Sequence, residues 1–508
     1  MASIISSKPR KVAVVGAGPV GCLAALALAK RGWAVDLIEG RPDMRLPSSK
    51  AATQQRSINL AISHRGIAAL EAVDPAAAKR FLKAAIPMRG RMIHKLSGEL
   101  DSQLYDRDGQ CINSIDRALL NEGLLEEAAA SPKIRILFNH KVIAADFDDQ
   151  SLTIRDTTSN AELSSHFDFC IGADGSFSII RRQMTRAVRM NYQQEYIRDE
   201  YVELKMPAGR DANGEPAFLL DPNHLHIWPR HSFMLIALPN QDKTFTCTLF
   251  APTTELDHLL SADQILTWFK SYFPDAVRAI GEKTLVEDFV RNPRSVLICT
   301  KAKPYHYRDR AIILGDAAHS MVPFYGQGLN AGLEDVRILS TLLDEEGVTS
   351  SAPIYDHPGN YDDRRLSSAL QRYTDTRHED LVAITDLAMD NYIEMRHSVT
   401  QLGYLFRKTL DNVLYSLTSP RIVSLASLIP TLAKSPYPTG KPNGWLPLYT
   451  MVTFRPDINY ATVKQKAARQ ATILAWLTWI GVLLLGVVGS WIAWIMREML
   501  VNYLVNSK

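Results

Sequence analysis

Gly16-Ala17-Gly18-Pro19-Val20-Gly21 is the stretch on which the reading of this 508-residue chain turns. Lys11 to Val15 before it reads as a buried strand, and Cys22 to Lys30 after it as a helix rich in Ala and Leu. Glycines at Gly16, Gly18 and Gly21 let the backbone turn tightly and approach a pyrophosphate at the positive end of that helix. Glu39 follows Gly18 by 21 residues, at the end of a second strand expected over Ala34 to Ile38. A carboxylate there can accept from ribose hydroxyls. Strand, helix and acid in this order separate a nucleotide site from an ordinary glycine turn. They leave the identity of the dinucleotide open.

Two later segments narrow it. Leu314 to Asp335 reads LGDAAHSMVPFYGQGLNAGLED, and Ile171 to Arg182 reads IGADGSFSIIRR. The first resembles the riboflavin-contacting segment of the aromatic-ring flavoprotein hydroxylases, and the second resembles the DG segment of that family. The resemblance implies FAD as cofactor, with Asp316 holding the ribityl chain and Asp174 in a turn associated with FAD and the pyridine nucleotide. It also implies that the Pro323 to Asn330 turn opens a helix aimed at the flavin pyrimidine ring. Reduced flavin is an anion, and free N–H groups at a helix start stabilise negative charge. The amides of Leu329 and Asn330 are the candidates.

Composition agrees with a multidomain globular enzyme. Hydrophobic residues make up 46% and charged residues 22%, and a net charge of +3 is too small to suggest a nucleic-acid partner. Five scattered cysteines (Cys22, Cys111, Cys170, Cys247, Cys299) form no CxxC pair, which argues for reduced thiols and no structural metal. Lys8, Arg10 and Lys11 lead straight into the first strand, so no signal peptide is expected. Ala471 to Met496 carries no charge over 26 positions and has Trp476, Trp479, Trp491 and Trp494 near its ends. About 20 apolar residues cross a hydrocarbon core, so this stretch reads as a C-terminal transmembrane anchor, with a buried core helix as the alternative. Lys464, Lys466 and Arg469 before the span favour a cytosolic catalytic part.

The fold class expected is α/β: a Rossmann-like FAD-binding domain interleaved with an antiparallel-sheet substrate domain, then a helical C-terminal part and the anchor. The FAD domain is expected over 8–85, 107–185 and 301–345, and substrate-domain strands over 86–106 and 186–300. The helical part is expected over 346–465 and the anchor over 471–496. Lys133 to Asp149 and Phe167 to Ala173 read as further strands of the FAD sheet, and Leu225 to Pro252 as a half-buried antiparallel sheet. Val348 to Asp363 reads as a polar loop and Leu366 to Leu417 as helical.

More specific segments run along nearly the whole chain. RSINLAIS (Arg56–Ser63), PMRGRMIH (Pro87–His94), NHLHIWPR (Asn223–Arg230), FTCTLF (Phe245–Phe250), NYIEMR (Asn391–Arg396) and PLYTMVTF (Pro447–Phe454) resemble the kynurenine-hydroxylating branch of that family. The reaction implied is ring hydroxylation of L-kynurenine with NADPH and O2 through a flavin C4a-hydroperoxide, at the mitochondrial outer membrane. No protein group is expected to act as a catalytic base, because the ortho-amino group already activates the ring; His319 in GDAAH is expected to make a structural or flavin-supporting hydrogen bond. The substrate carboxylate needs a fixed cation, and Arg91 offers a planar fork. By resemblance Tyr105 donates to the same carboxylate, while Asn391 and Tyr449 close the site. Arg89, two residues away, is expected on the same strand face. Phe245, Pro323 and Phe324 are the expected ring neighbours. The resemblance adds Val20, Arg41, Ala61, Arg117, Val142 and Ile179 as FAD contacts. Two rivals remain: a monooxygenase acting on another anthranilate-like or phenolic acid, and a membrane-tethered flavoprotein that binds partners without turnover.

Overall fold

The computed structural model describes residues 9–49, 59–106, 108–351, 362–418 and 444–506. Most of the loop expected over 348–363, and the first three residues of RSINLAIS, lie outside the described residues.

A six-stranded sheet forms the floor of the nucleotide half. Its order is His306–Tyr307, Ala311–Ile313, Phe169–Gly172, Lys11–Val15, Ala34–Ile38, Ile134–Leu137. All neighbours are parallel except the His306–Tyr307 edge. The strand Lys11–Val15 is flanked on one side by its successor and on the other by a strand far along the chain. That junction is a topological switch point, where ligands lodge beyond the carboxyl ends of the strands. Helix α1 (Pro19–Lys30) starts with Pro at its first turn, and ten of its residues are buried, so it is apolar all round. Helix α2 (Arg117–Ala130) is capped by Asp116, whose carboxylate accepts from the Ala118 and Leu119 amides.

One expectation for this sheet fails. Of the strands read over Lys133 to Asp149, only Ile134–Leu137 joins it; His140–Asp146 pairs with Ser151–Asp156, which in turn pairs with Glu162–His166, in a separate three-stranded sheet. Asn139 at φ 60° turns the chain between them, so one apolar run supplies strands to two sheets.

The second large sheet has seven strands, ordered Ser295–Lys303, Asn191–Met206, Phe245–Pro252, Phe233–Pro239, His224–Arg230, Gly90–His94, Leu100–Leu104. It is mixed where an antiparallel sheet was expected: His224–Arg230 runs parallel to Gly90–His94. The two are separated by a long passage through the nucleotide half, and a long crossover lets strands pair in parallel where a hairpin cannot. Trp228, Leu235, Cys247, Leu249 and Phe245 face a core shared with the helices at 262–291. Leu225, Ile236, Leu238, Thr248 and Phe250 face the nucleotide half.

Five of the other helices bear on the site and the C-terminal part. They are α3 (Ile179–Ala187), α4 (Gly328–Glu345), α5 (Arg364–Arg396), α6 (Leu402–Thr418) and α7 (Tyr460–Asn506). At about 1.5 Å per residue, the 33 residues of α5 reach about 50 Å, far enough to touch both halves. Helix α7 contains the one segment among the described residues long and apolar enough to cross a membrane, and none of its most apolar window is buried. The core-helix alternative therefore does not hold, and the helix is compatible with membrane association.

Candidate active site

Beyond the ends of Lys11–Val15 and Ala34–Ile38 lies a cavity of about 1290 Å³ that extends to Tyr449 on the helix Leu448–Phe454. One drug-sized ligand fills about 300–1,000 Å³, so there is room for a dinucleotide and a small second ligand.

The outer end is built by the glycine turn. Gly16 sits at φ +100°, and a Cβ on Gly21 would run into the Gly16 carbonyl. Gly18 differs: a Cβ there would meet no heavy atom of the described residues within 4 Å, so its backbone is open to the cavity it lines. Glu39 Oε2 accepts from the Ala17 amide at 3.0 Å, and its Oε1 from the Arg41 amide and Nε at 3.0 and 2.9 Å. Burial would raise the Glu39 pKa, but the Arg41 guanidinium and these amides outweigh it and hold it below the ordinary value. Arg41, Ala61, Arg117, Val142 and Ile179 also line the cavity. The Val20 side chain does not: it packs on Gly315 and Gly332, where added Cβ atoms would stand 3.1 and 2.7 Å from its methyls.

The DG and GDAAH segments meet at the middle. Asp174 lines the cavity but turns its carboxylate to the Ile179 and Ile180 amides at the start of α3, at 2.7 and 3.2 Å. Arg181 bonds the Ala317 and Ser176 carbonyls, tying the two segments together. Asp316 is exposed on the cavity wall. The turn before it, with Gly315 at φ +58°, is held from behind by Asp335. Asp335 Oδ2 accepts from the Gly315 amide at 3.0 Å and bonds His319 Nε2 at 2.5 Å, while its Oδ1 accepts from Arg377 at 2.9 Å. Burial raises the Asp335 pKa, but His319 and Arg377 prevail and hold it below the ordinary value. His319 is thus a buried hydrogen-bond partner of Asp335. The Asn330 side chain is fully buried and bonds Ser63 N, Ala61 O and Gly326 O, so only its backbone is available to a ligand. With Leu329 it stands in the first turn of α4, where N–H groups have no partner within the helix.

The inner end is an apolar sleeve closed by a cation. Arg91 is buried and lines the cavity; its Nη1 donates to Glu394 Oε1 at 2.9 Å and its Nη2 to Asn391 Oδ1 at 3.3 Å. Among the described residues its Nε has no hydrogen-bond partner, nor has the buried Tyr105 hydroxyl. Tyr105 stacks on Tyr449 (4.6 Å, 6°), which stacks on Tyr325 (5.6 Å, 13°), with the Arg91 guanidinium 5.2 Å from the Tyr449 ring centre. Burial opposes the Arg91 charge, but Glu394 more than compensates and raises the pKa further. Asn391 is fixed by a bond from Nδ2 to the Phe324 carbonyl at 2.7 Å. Pro323 and Phe324 line the sleeve.

Two expectations are corrected here. Arg89 precedes the strand Gly90–His94 and is exposed, so it does not share the Arg91 face. Phe245 is in the other core, packed edge-on against His226 and Phe218. Strand side chains alternate with period two, so the cavity face of that strand carries Thr248 and Phe250. Two neighbours of Arg91 were missed. Glu394 lies three residues after Asn391 on α5, a spacing that shares a helix face and was legible. Tyr404, which donates to Glu394 Oε1 at 2.9 Å, comes from α6 and carries no local signal.

Comparison with known proteins places this geometry. The FAD binding domain family matches residues 10–348. A kynurenine 3-monooxygenase of Cryptococcus neoformans is 43% identical over 501 residues, covering 95% of this chain and 96% of its own length. A Candida albicans kynurenine 3-monooxygenase is 45% identical over 467 residues, covering 92% of each. A tetrameric 2-methyl-3-hydroxypyridine-5-carboxylic acid oxygenase shares the fold, with a TM-score of 0.58 at 20% identity over 78% of this chain and 95% of its own. The open Gly18 backbone, the Glu39 carboxylate and the Asp316 turn fit FAD, which is the cofactor. On identity at this level across nearly the full length of its relatives, the chain belongs to the kynurenine 3-monooxygenase family of FAD-dependent aromatic hydroxylases.

Proposed function

We propose that the chain hydroxylates L-kynurenine to 3-hydroxykynurenine, consuming NADPH and O2 and releasing NADP+ and water. The observation that carries this reading is Arg91: a buried guanidinium whose Nε has no partner among the described residues, at the end of an apolar sleeve otherwise suited to a ring. The substrate carboxylate takes the Arg91 fork and the buried Tyr105 hydroxyl, both of which are costly to leave unsatisfied. Glu394, with a third of its side chain exposed, offers a carboxylate to the neighbouring α-ammonium. Asn391 and Tyr449 hold this end in shape. FAD, when bound, supplies the redox and oxygen-transfer chemistry. The chain's own tasks are to orient the ring and keep water out, for which Leu225, Ile236, Leu238, Phe250 and Phe324 form the sleeve.

For FAD we assign Glu39 and Arg41 to the ribose, and Gly16, Gly18, Val20 and Gly21 to the pyrophosphate turn. Arg117 takes the phosphates, Val142 the adenine through its backbone, and Asp316 the ribityl chain. Ala61, Leu329 and Asn330 lie at the isoalloxazine; Asp174 and Ile179 shape the DG turn. We read 8–85, 107–185 and 301–345 as the FAD domain, 86–106 and 186–300 as the substrate domain and 346–465 as the part that completes the substrate site. Helix α7 anchors the enzyme, over 471–496, in the mitochondrial outer membrane with the catalytic part in the cytosol. Lys464, Lys466 and Arg469 before the span support that orientation.

The test is NADPH oxidation by flavin-loaded protein with and without kynurenine, with the product identified by mass spectrometry. Stimulation with formation of 3-hydroxykynurenine is expected. Stimulation by a different anthranilate-like acid alone would reassign the substrate, and no turnover with any would favour a binding role.

A further inference from the structure

Helix α6 has two unlike faces. At about 100° per residue, Tyr404, Lys408, Asp411 and Tyr415 fall on one side. All four are bonded inward: Tyr404 to Glu394, Lys408 to Gln103, Asp411 to the Trp445 indole and Tyr415 to Asp108. Phe406, Leu410, Val413 and Leu417 fall on the opposite side, in a stripe about 60° wide. Phe406, Val413 and Leu417 are 72%, 45% and 75% exposed. Single exposed apolar residues are ordinary on a protein surface, but an aligned row on one helix marks a contact face.

The chain also says what lies beside that face. At the C-terminal end of α6, the Thr418 hydroxyl accepts from the Trp445 amide at 2.7 Å. The residue before Trp445 is Gly444, whose carbonyl accepts from Lys466 Nζ at 2.8 Å. Lys466 stands on α7 five residues before the uncharged run at 471–496. The end of α6 is therefore held at the level where α7 leaves the catalytic part. Arg407, exposed next to Phe406, adds a cation suited to lipid phosphates.

We propose that the outer face of α6 lies in the headgroup–acyl boundary of the bilayer that α7 spans, with Phe406, Val413 and Leu417 inserted. This rests on reading α7 as a membrane anchor. Amphipathic helices bind lipid interfaces in this way, with apolar residues submerged and charged neighbours at headgroup level. The consequence reaches the substrate site, because the inner face of the same helix holds Glu394 through Tyr404 beside Arg91.

The test uses full-length, FAD-loaded protein in phosphatidylcholine nanodiscs, with an environment-sensitive fluorophore on single introduced cysteines. The positions are Phe406→Cys, Leu417→Cys, Val487→Cys in the span and Asp211→Cys on an exposed turn; flavin content checks that each variant folds. The expected result is that labels at 406, 417 and 487 are quenched by doxyl-labelled lipid and are several-fold less sensitive to aqueous iodide than the label at 211. If 487 is quenched by lipid while 406 and 417 respond to iodide as 211 does, the proposal is wrong and the anchor stands. Labels at 406 and 417 shielded from both quenchers would also overturn it, by showing that protein covers the face, either another part of this chain or a second copy. A label at 487 that lipid does not quench would remove the anchor and the proposal together.

Discussion

Replacing Arg91 with alanine is the sharpest test of the substrate end. Arg91 is buried, its guanidinium is 2.9 Å from Glu394, and the pair is bonded further to Asn391 and Tyr404. A substrate carboxylate brought to Arg91→Ala would lose that guanidinium and would face Glu394 without its nearest partner, leaving Lys408 of α6 as a remaining nearby cation. Removing one member of a buried ion pair commonly costs about 3–5 kcal/mol, which is about a hundredfold to a few thousandfold in an equilibrium constant. Part of that cost falls on the free enzyme, where Glu394 loses its partner, so the loss in kcat/KM for kynurenine should sit near the lower figure. Arg91→Lys keeps the charge but not the fork, and should lose about tenfold. Arg89 is exposed and outside the strand, so Arg89→Ala should change kcat/KM by less than about threefold. The assay is kynurenine-dependent NADPH oxidation with quantified product, on variants whose flavin absorbance matches the parent. Arg91→Ala within threefold of the parent, or a larger loss in Arg89→Ala, would refute the assignment of the carboxylate to Arg91.

Three further outcomes are expected. Glu39→Ala and Asp316→Ala should each retain less FAD after purification, since a hydrogen bond to a charged group is worth about 1.5–3 kcal/mol; unchanged flavin dissociation in both would show that the cofactor contacts are misassigned. Glu203, on the strand Asn191–Met206, is pushed up to about 7 by burial, which Arg117 only partly offsets. Its folded pKa lies above the unfolded one, so the folded state holds more protons between about 4.5 and 7 and loses stability as pH rises through that window, by at most about 3 kcal/mol. Glu203→Gln should therefore raise the thermal midpoint at pH 8 and leave it nearly unchanged at pH 4.5, and a midpoint gain that is the same at both pH values would contradict this account. Ending the chain at Ala468 should release the protein from membranes under carbonate while FAD binding persists; full-length protein that carbonate also releases would argue against a spanning helix.

The nucleotide half was legible because its signals are local. A glycine turn, its flanking strand and helix, and an acid at the end of the next strand sit within about thirty residues, and each constrains the backbone through its own chemistry. Sheet membership was less legible. His140–Asp146 alternates like any half-buried strand, and nothing in its own residues says which sheet it joins. The parallel pairing of His224–Arg230 with Gly90–His94 likewise depends on a connection of more than a hundred residues. Period two would have turned Phe245 away from the cavity had Thr248 and Phe250 been taken as the inward set. Arg89 was misplaced because the strand starts at Gly90, and strand ends are the least determined part of such a reading. Within the site, Glu394 follows from Asn391 by helical spacing, whereas Tyr404 arrives from another helix and was beyond reach.

The acids and arginines behind the cavity explain how such distant segments keep a common geometry. Glu334 and Asp335, adjacent on α4, are both buried, and Arg377 of α5 bonds both. Glu334 also takes Arg65, and Arg65 donates to the carbonyls of Val452 and Ile458, on either side of the turn that follows the Tyr449 helix. Tyr460, at the start of α7, lies over the Arg65 guanidinium at 3.9 Å and donates to Gln327, the residue that precedes α4. Buried ion pairs contribute little net stability, because desolvation offsets their attraction, but breaking one leaves a charge with no partner. Such a cluster therefore penalises every arrangement except the one that satisfies all its members. Here that arrangement fixes the Gly315–Asp316 turn through Asp335, the first turn of α4 through Gln327, and the helix bearing Tyr449 through Arg65. The proposed flavin contacts and the proposed substrate wall are thereby positioned by the same four buried charges, so a substitution in that cluster should disturb both ligands at once, though it touches neither.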